Sequence, residues 1–169
     1  MARFVVFLST ALAGLLSPQF ATAQDKSADN QFLINAISHS TWEVKASELA
    51  AKQASNQTVK DFANRMVKDH TDLNKEMLKQ AKGANVAVVT GLEKDQRDRY
   101  DRLSKLKGDD FDREYLSWMA DSHEKMINFF DSEAKDGKLD ALRDFAKTHS
   151  ADLKKHLEEA KKLRDDLKK

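Results

Sequence analysis

Four histidines fall where helical periodicity calls for an aliphatic side chain. Val59, Phe62, Met66, Leu73 and Met77 recur at helical spacing, and His70 lies on the same stripe. His123 joins Asp112, Leu116, Met119, Ile127 and Phe130, while His149 and His156, one heptad apart, join Leu142, Ala146, Leu153, Ala160 and Leu163. A further stripe of Phe32, Ala36, Ala46 and Ala50 carries His39 and Glu43 one turn apart, with His39 nearest the boundary. Imidazole combined with carboxylate is a donor set for iron, zinc, copper or manganese. Without an ion, buried imidazoles must find hydrogen-bond partners for their ring nitrogens. The sequence therefore admits two readings. One is a transition-metal site drawing on Glu43, His70, His123, His149 and His156. The other is a core hydrogen-bond network in which Glu43 accepts from His70 or His123 and Asp112 or Tyr115 serves the rest.

Carboxylate-rich di-iron chemistry is disfavoured. Such sites in helical bundles use a Glu on each of two helices and Glu-x-x-His on the other two. The residues three positions before His70, His123, His149 and His156 are Val67, Ala120, Ala146 and Leu153. Nucleophile motifs and glycine-rich phosphate loops are absent as well, so nothing marks the chain as an enzyme. Met66, Met77, Met119 and Met126 read as core filling, and Trp42 and Trp118 as packing residues.

The elements that must carry these side chains are helices. Beyond residue 23 there is no proline, glycine occurs only at Gly83, Gly91, Gly108 and Gly137, and the alternating strand pattern is missing. The fold class expected is all-α: an antiparallel four-helix bundle with long helices over residues 29–54, 57–82, 110–135 and 138–167. A shorter helix is expected over 91–107, opened by the capping-box spacing of Thr90 and Glu93. Asn56 suits an N-cap. Counted from the connecting turns at about 1.5 Å per residue, Glu43 and His70 match within about 3 Å. His149 matches His123 within about 3 Å and His156 misses by about 8 Å on the same rise. Aligned on histidine, Phe62, Met66 and His70 also echo Tyr115, Met119 and His123, a faint repeat.

Residues 1–23 show one basic residue, an apolar run from Phe4 to Leu16 and a small-x-small end at Ala21–Ala23. This is the pattern of an export signal cleaved after Ala23, and it implies a periplasmic protein whose single domain spans residues 24–169. The run is shorter than the roughly 20 residues of a permanent membrane anchor. Without Arg3 the remaining 28 basic residues balance the 28 acidic ones, from 29 and 28 in the whole chain. That balance argues against a nucleic-acid binder.

The segments "EVKASELAAKQASNQTVKDFANRMVKDHTDLNKEMLKQAK", "FDREYLSWMADSHEKMINFF" and "LRDFAKTHSADLKKHLEEAKKL" resemble a bacterial exported family, domain of unknown function 4142, classed as ferritin-like. The elements that carry the likeness are Glu43, Asp69-His70, Phe111-Asp112 with Tyr115, His123, and the Leu153/His156 spacing. The resemblance implies a ferritin-like bundle and export, with no established activity. Two functions fit. The first is a metal- or stress-related binding protein with Asp69, Asp112 and Tyr115 supporting the donors. The second is an envelope interaction module that meets a second copy or another envelope protein.

Overall fold

The computed structural model describes the backbone of residues 21–167 and the side chains of residues 28–167. Most of the expected export signal, residues 1–20, lies outside the described residues. Five helices follow in order: α1 (Ala21–Gln53), α2 (Gln57–Gly83), α3 (Lys94–Lys105), α4 (Gly108–Asp136) and α5 (Asp140–Asp166). The described residues contain no strand, and the fold class is all-α.

Two helical hairpins make up the body, α1 with α2 and α4 with α5, joined chiefly through α1 and α4. The apolar stripes face inward. Phe62, Met66, Tyr115, Leu116, Met119 and Phe130 are wholly buried, and each such side chain contributes roughly 1.5–3 kcal/mol by leaving water. Trp42 and Trp118 pack with ring centroids 6.2 Å apart, and the Arg102 guanidinium lies 5.5 Å from the Trp118 ring.

Each hairpin turn is held by an aspartate from the other hairpin. Asp112 of α4 accepts from Ser55 N at 3.0 Å, Ser55 Oγ at 2.7 Å and Asn56 N at 2.8 Å. Asp29 of α1 accepts from Lys138 N and Leu139 N, each at 2.9 Å. Asp29 and Asp112 are 83 residues apart, as are Ser55 and Lys138, and Asn56 and Leu139. Buried Leu33 and Leu116, Phe62 and Phe145, and Ala63 and Ala146 keep the same offset. The chain is thus a tandem pair of hairpins related by an approximate two-fold. The histidine-aligned echo is a different register: it compares the second helix of one hairpin with the first of the other, where amphipathic periodicity alone gives similarity.

The link between hairpins runs the length of the molecule, and α3 lies along α1 and α4. Its N-cap is Glu93, with Gln96 Oε1 accepting from Glu93 N at 2.9 Å, rather than Thr90. Side chains of α1 decide this. Ser38 Oγ donates to Glu93 Oε1 at 2.9 Å, and Trp42 Nε1 donates to Gln96 O at 3.2 Å.

Candidate metal centre

Glu43, His70 and His123 are fully buried at mid-height, and His156 is 9 % exposed. Each arrives on a different helix. The three imidazoles form a near-equilateral triangle, with ring centroids 5.1, 5.6 and 5.4 Å apart. One ring nitrogen from each lies within 4.8 Å of one from each of the others.

The outward nitrogens are taken. His123 Nδ1 is 2.8 Å from Met119 O. A carbonyl only accepts, so His123 carries its proton on Nδ1 and presents a lone pair at Nε2. His70 Nδ1 hydrogen-bonds Ser40 Oγ at 3.1 Å and lies 2.9 Å from Glu43 Oε2, an ion-pair contact that completes no hydrogen bond. The carboxylate draws the proton to Nδ1 and again leaves Nε2 as the acceptor. His156 Nε2 meets Asp69 Oδ2 at 3.2 Å, while its Nδ1 is buried and without a hydrogen bond. The nitrogens left over are His70 Nε2, His123 Nε2 and His156 Nδ1. The first two stand 3.3 Å apart. Two lone pairs at that distance repel unless a proton or a cation lies between them.

Burial and mutual charge set the protonation of the cluster. Burial alone would raise the Glu43 carboxyl, but the neighbouring His70 and then His123 outweigh it electrostatically and hold it at about 2, while neither of its two buried oxygens completes a hydrogen bond. Burial lowers His123, with Glu43 opposing and His70 adding to the shift. Burial, then repulsion from His70 and His123, lowers His156 to about 4 against the pull of Asp69. Near neutral pH His123 and His156 are therefore uncharged, the form that binds metal.

His149 stands apart: its Nε2 is 3.3 Å from Glu76 Oε2 and its side chain is 24 % exposed. Counting from the turns favours His149 over His156 only because the turn residues 137–139 are given helical rise. From the helix ends at Asp136 and Asp140, His123 lies 13 residues back, His149 nine on and His156 sixteen on. The mismatch becomes about 6 Å for His149 and about 4.5 Å for His156. Side chains also lean toward their own helix N-terminus. This carries His123 away from the turn and His156 toward it, closing the rest.

Asp112 and Tyr115 do not serve the histidines. Asp112 is committed to the α1/α2 turn, and Tyr115 OH pairs with Ser47 Oγ at 2.8 Å, one end removed from the centre. His39 is half-buried, with Nδ1 3.4 Å from Ser122 Oγ. Ser40, Ser122 and the Met119 carbonyl escaped sequence reasoning. Their signal was faint: small polar residues on an inward face next to the donors. The 83-residue repeat breaks here. The counterparts of Glu43, His70, His123 and His156 are Met126, Leu153, Ser40 and Leu73, so only one of the two equivalent positions carries the Glu/His cluster.

A groove of about 470 Å³ between α2 and α5 opens onto the centre, with His70 and His156 among its lining residues.

The model of the family described as Domain of unknown function (DUF4142) matches residues 15–163. This chain belongs to the DUF4142 family. Its fold is shared more widely. The crystal structure of a DUF305 protein from Streptomyces coelicolor, described as secreted, superposes with a TM-score of 0.72 at 12% identity, covering 84% of this chain and 94% of that one. No curated protein matches the chain. No helix among the described residues is long and apolar enough to cross a membrane.

Proposed function

We propose that this DUF4142 member is an exported, ferritin-like binding protein for a single transition-metal ion held by His70, His123 and His156. The observation that carries this reading is the facing pair of Nε2 atoms, 3.3 Å apart, each with its Nδ1 already engaged. Metal–nitrogen bonds of 2.0–2.1 Å at tetrahedral angles place neighbouring donors about 3.3–3.4 Å apart. Glu43, the Met119 carbonyl and Asp69 then act as outer partners that fix tautomer and ring orientation, as carboxylates and carbonyls do behind metal-bound histidines. Glu43 faces ring nitrogens, so the donor set is imidazole-rich and points to zinc, copper, cobalt or nickel rather than a di-iron pair. Export is supported by the N-terminal apolar run and by the description of the DUF305 neighbour as secreted. The test is elemental analysis of untagged protein taken from the envelope fraction. One equivalent of metal, lost in His123→Asn, is expected; metal-free protein of unchanged fold overturns the reading.

One observation favours a second reading. Ser40 Oγ at 3.1 Å from His70 Nδ1 and His123 Nε2 at 3.3 Å from His70 Nε2 also suit a core hydrogen-bond network in which His70 Nε2–H donates to His123. In that case the site is a core registry device, and nitrogen-15 spectra show a protonated Nε2 on His70 at neutral pH in metal-free and metal-treated protein alike.

A further inference from the structure

We infer that the α2/α5 groove is the loading route to the histidine triangle, with His149 and Glu76 as an outer staging position for a divalent transition-metal cation. This rests on the metal reading above. On α5, His149, Asp152 and His156 follow at helical spacing, on one face, and all three line the groove. At the rim, His149 and Glu76 form an imidazole–carboxylate pair with side chains 24 % and 58 % exposed. At the inner end, His156 is 9 % exposed and its Nδ1 has no partner. A cation moving inward along this face meets a protein donor at each step as it sheds water.

Charge distribution singles out the same pair. Five carboxylates and three Lys or Arg side chains line the groove, so it attracts cations. Most of those carboxylates are already matched. Lys155 Nζ is 2.8 Å from Asp152, Lys68 Nζ is 3.6 Å from Asp69 and 3.7 Å from Asp72, and Arg65 pairs with Glu159. Among the described residues, Glu76 pairs with no lysine or arginine; its partner is His149. Two donors open to water hold a cation weakly, which suits passage rather than storage. The competing entrance is the pocket on the opposite face, lined by His39, Glu93 and Asp121 but also by Arg99 and Lys125.

Stopped-flow mixing of chelator-stripped protein with cobalt(II), whose tetrahedral imidazole complexes absorb in the visible, separates the route from the site. Wild type is expected to reach one equivalent. His149→Gln and Glu76→Gln reach the same equivalent and the same final spectrum, but load about 3- to 10-fold more slowly, a share of the 10–10³ that a charged cleft adds to association. Lys155→Gln, which frees Asp152, loads faster than wild type, an effect that loss of structure would not produce. Wild-type rates in both His149→Gln and Glu76→Gln, or slowing in His39→Gln instead, overturn the route while the site stands. Absence of cobalt uptake by wild type overturns the metal reading and the route with it.

Discussion

Replacing Glu43 by Gln probes the centre without removing a ligand. Glu43 presents Oε2 to His70 Nδ1 at 2.9 Å and Oε1 to His123 Nδ1 at 3.4 Å. Glutamine keeps the shape but offers an amide that is half donor, so it no longer draws the His70 proton to Nδ1, while Met119 O still holds that of His123. Loss of an outer carboxylate lowers metal affinity by about 10–100-fold, or about 1.4–2.7 kcal/mol. At free metal 100 times the wild-type dissociation constant, wild type gains about 2.7 kcal/mol, and Glu43→Gln gains RT ln 11 to RT ln 2, about 1.4–0.4 kcal/mol. A chain of this size shifts by about 2–4 °C per kcal/mol. The metal-induced rise in Tm should then be about 5–11 °C for wild type and about 1–6 °C for the variant, on the same scaling. Differential scanning calorimetry of stripped and metal-loaded samples measures it. Each protein serves as its own baseline, so any change in metal-free stability drops out. Equal rises in the two proteins would refute the assignment of Glu43 as the group that orients the donors.

Four further outcomes follow from the structure. Asp112→Ala loses three hydrogen bonds to the α1/α2 turn and should cost roughly 2–4 kcal/mol by urea unfolding; a loss under about 1 kcal/mol would contradict its role. Asp29→Ala should destabilise by an amount of the same order, as its place in the repeat requires. Glu133 is raised to about 7 by burial and by Asp29, so its folded form keeps a proton that the unfolded chain releases above about 4.5. Stability is therefore lost as pH rises from about 4.5 to 7, and Glu133→Gln should recover about 1–2 kcal/mol at pH 8 after allowance for partial solvation, with no gain at pH 4. His156 is lowered to about 4, so in stripped protein the unfolded chain takes up a proton first as pH falls from about 6.5. Acid should cost roughly 2–3 kcal/mol between pH 7 and 4 through this group, and His156→Asn should flatten that slope in urea titrations.

Much of the fold was legible because helical periodicity is local. The stripes of Val59 to Met77 and Leu116 to Phe130 set which faces turn inward, and the turns fall at 54–56 and 137–139. What failed was non-local. Thr90-x-x-Glu93 and Glu93-x-x-Gln96 are both capping-box spacings, and only the grip of Ser38 and Trp42 from α1 selects the second. Asp112 lies on an apolar stripe and reads as a histidine partner until the bare amides of Ser55 and Asn56 are seen beside it. The inward direction of His70, His123 and His156 follows from the stripe of each one's own helix, whereas His149 on the same stripe lies at the groove rim. Their meeting depends on how much height the turns take up, and that decides between His149 and His156. The same 83-residue repeat that places Asp29 and Asp112 was present in the sequence, masked by the louder alignment of two histidines.

The central claim is that three imidazole nitrogens from α2, α4 and α5 share one ion. X-ray absorption at the metal edge of untagged, metal-loaded protein tests it most directly. A first shell of three imidazole nitrogens at about 2.0–2.1 Å, with stoichiometry of one and loss of that shell in His70→Asn, is the expected result. A stripped protein that takes up no metal, or one whose metal survives in a triple variant of His70, His123 and His156, would contradict the account.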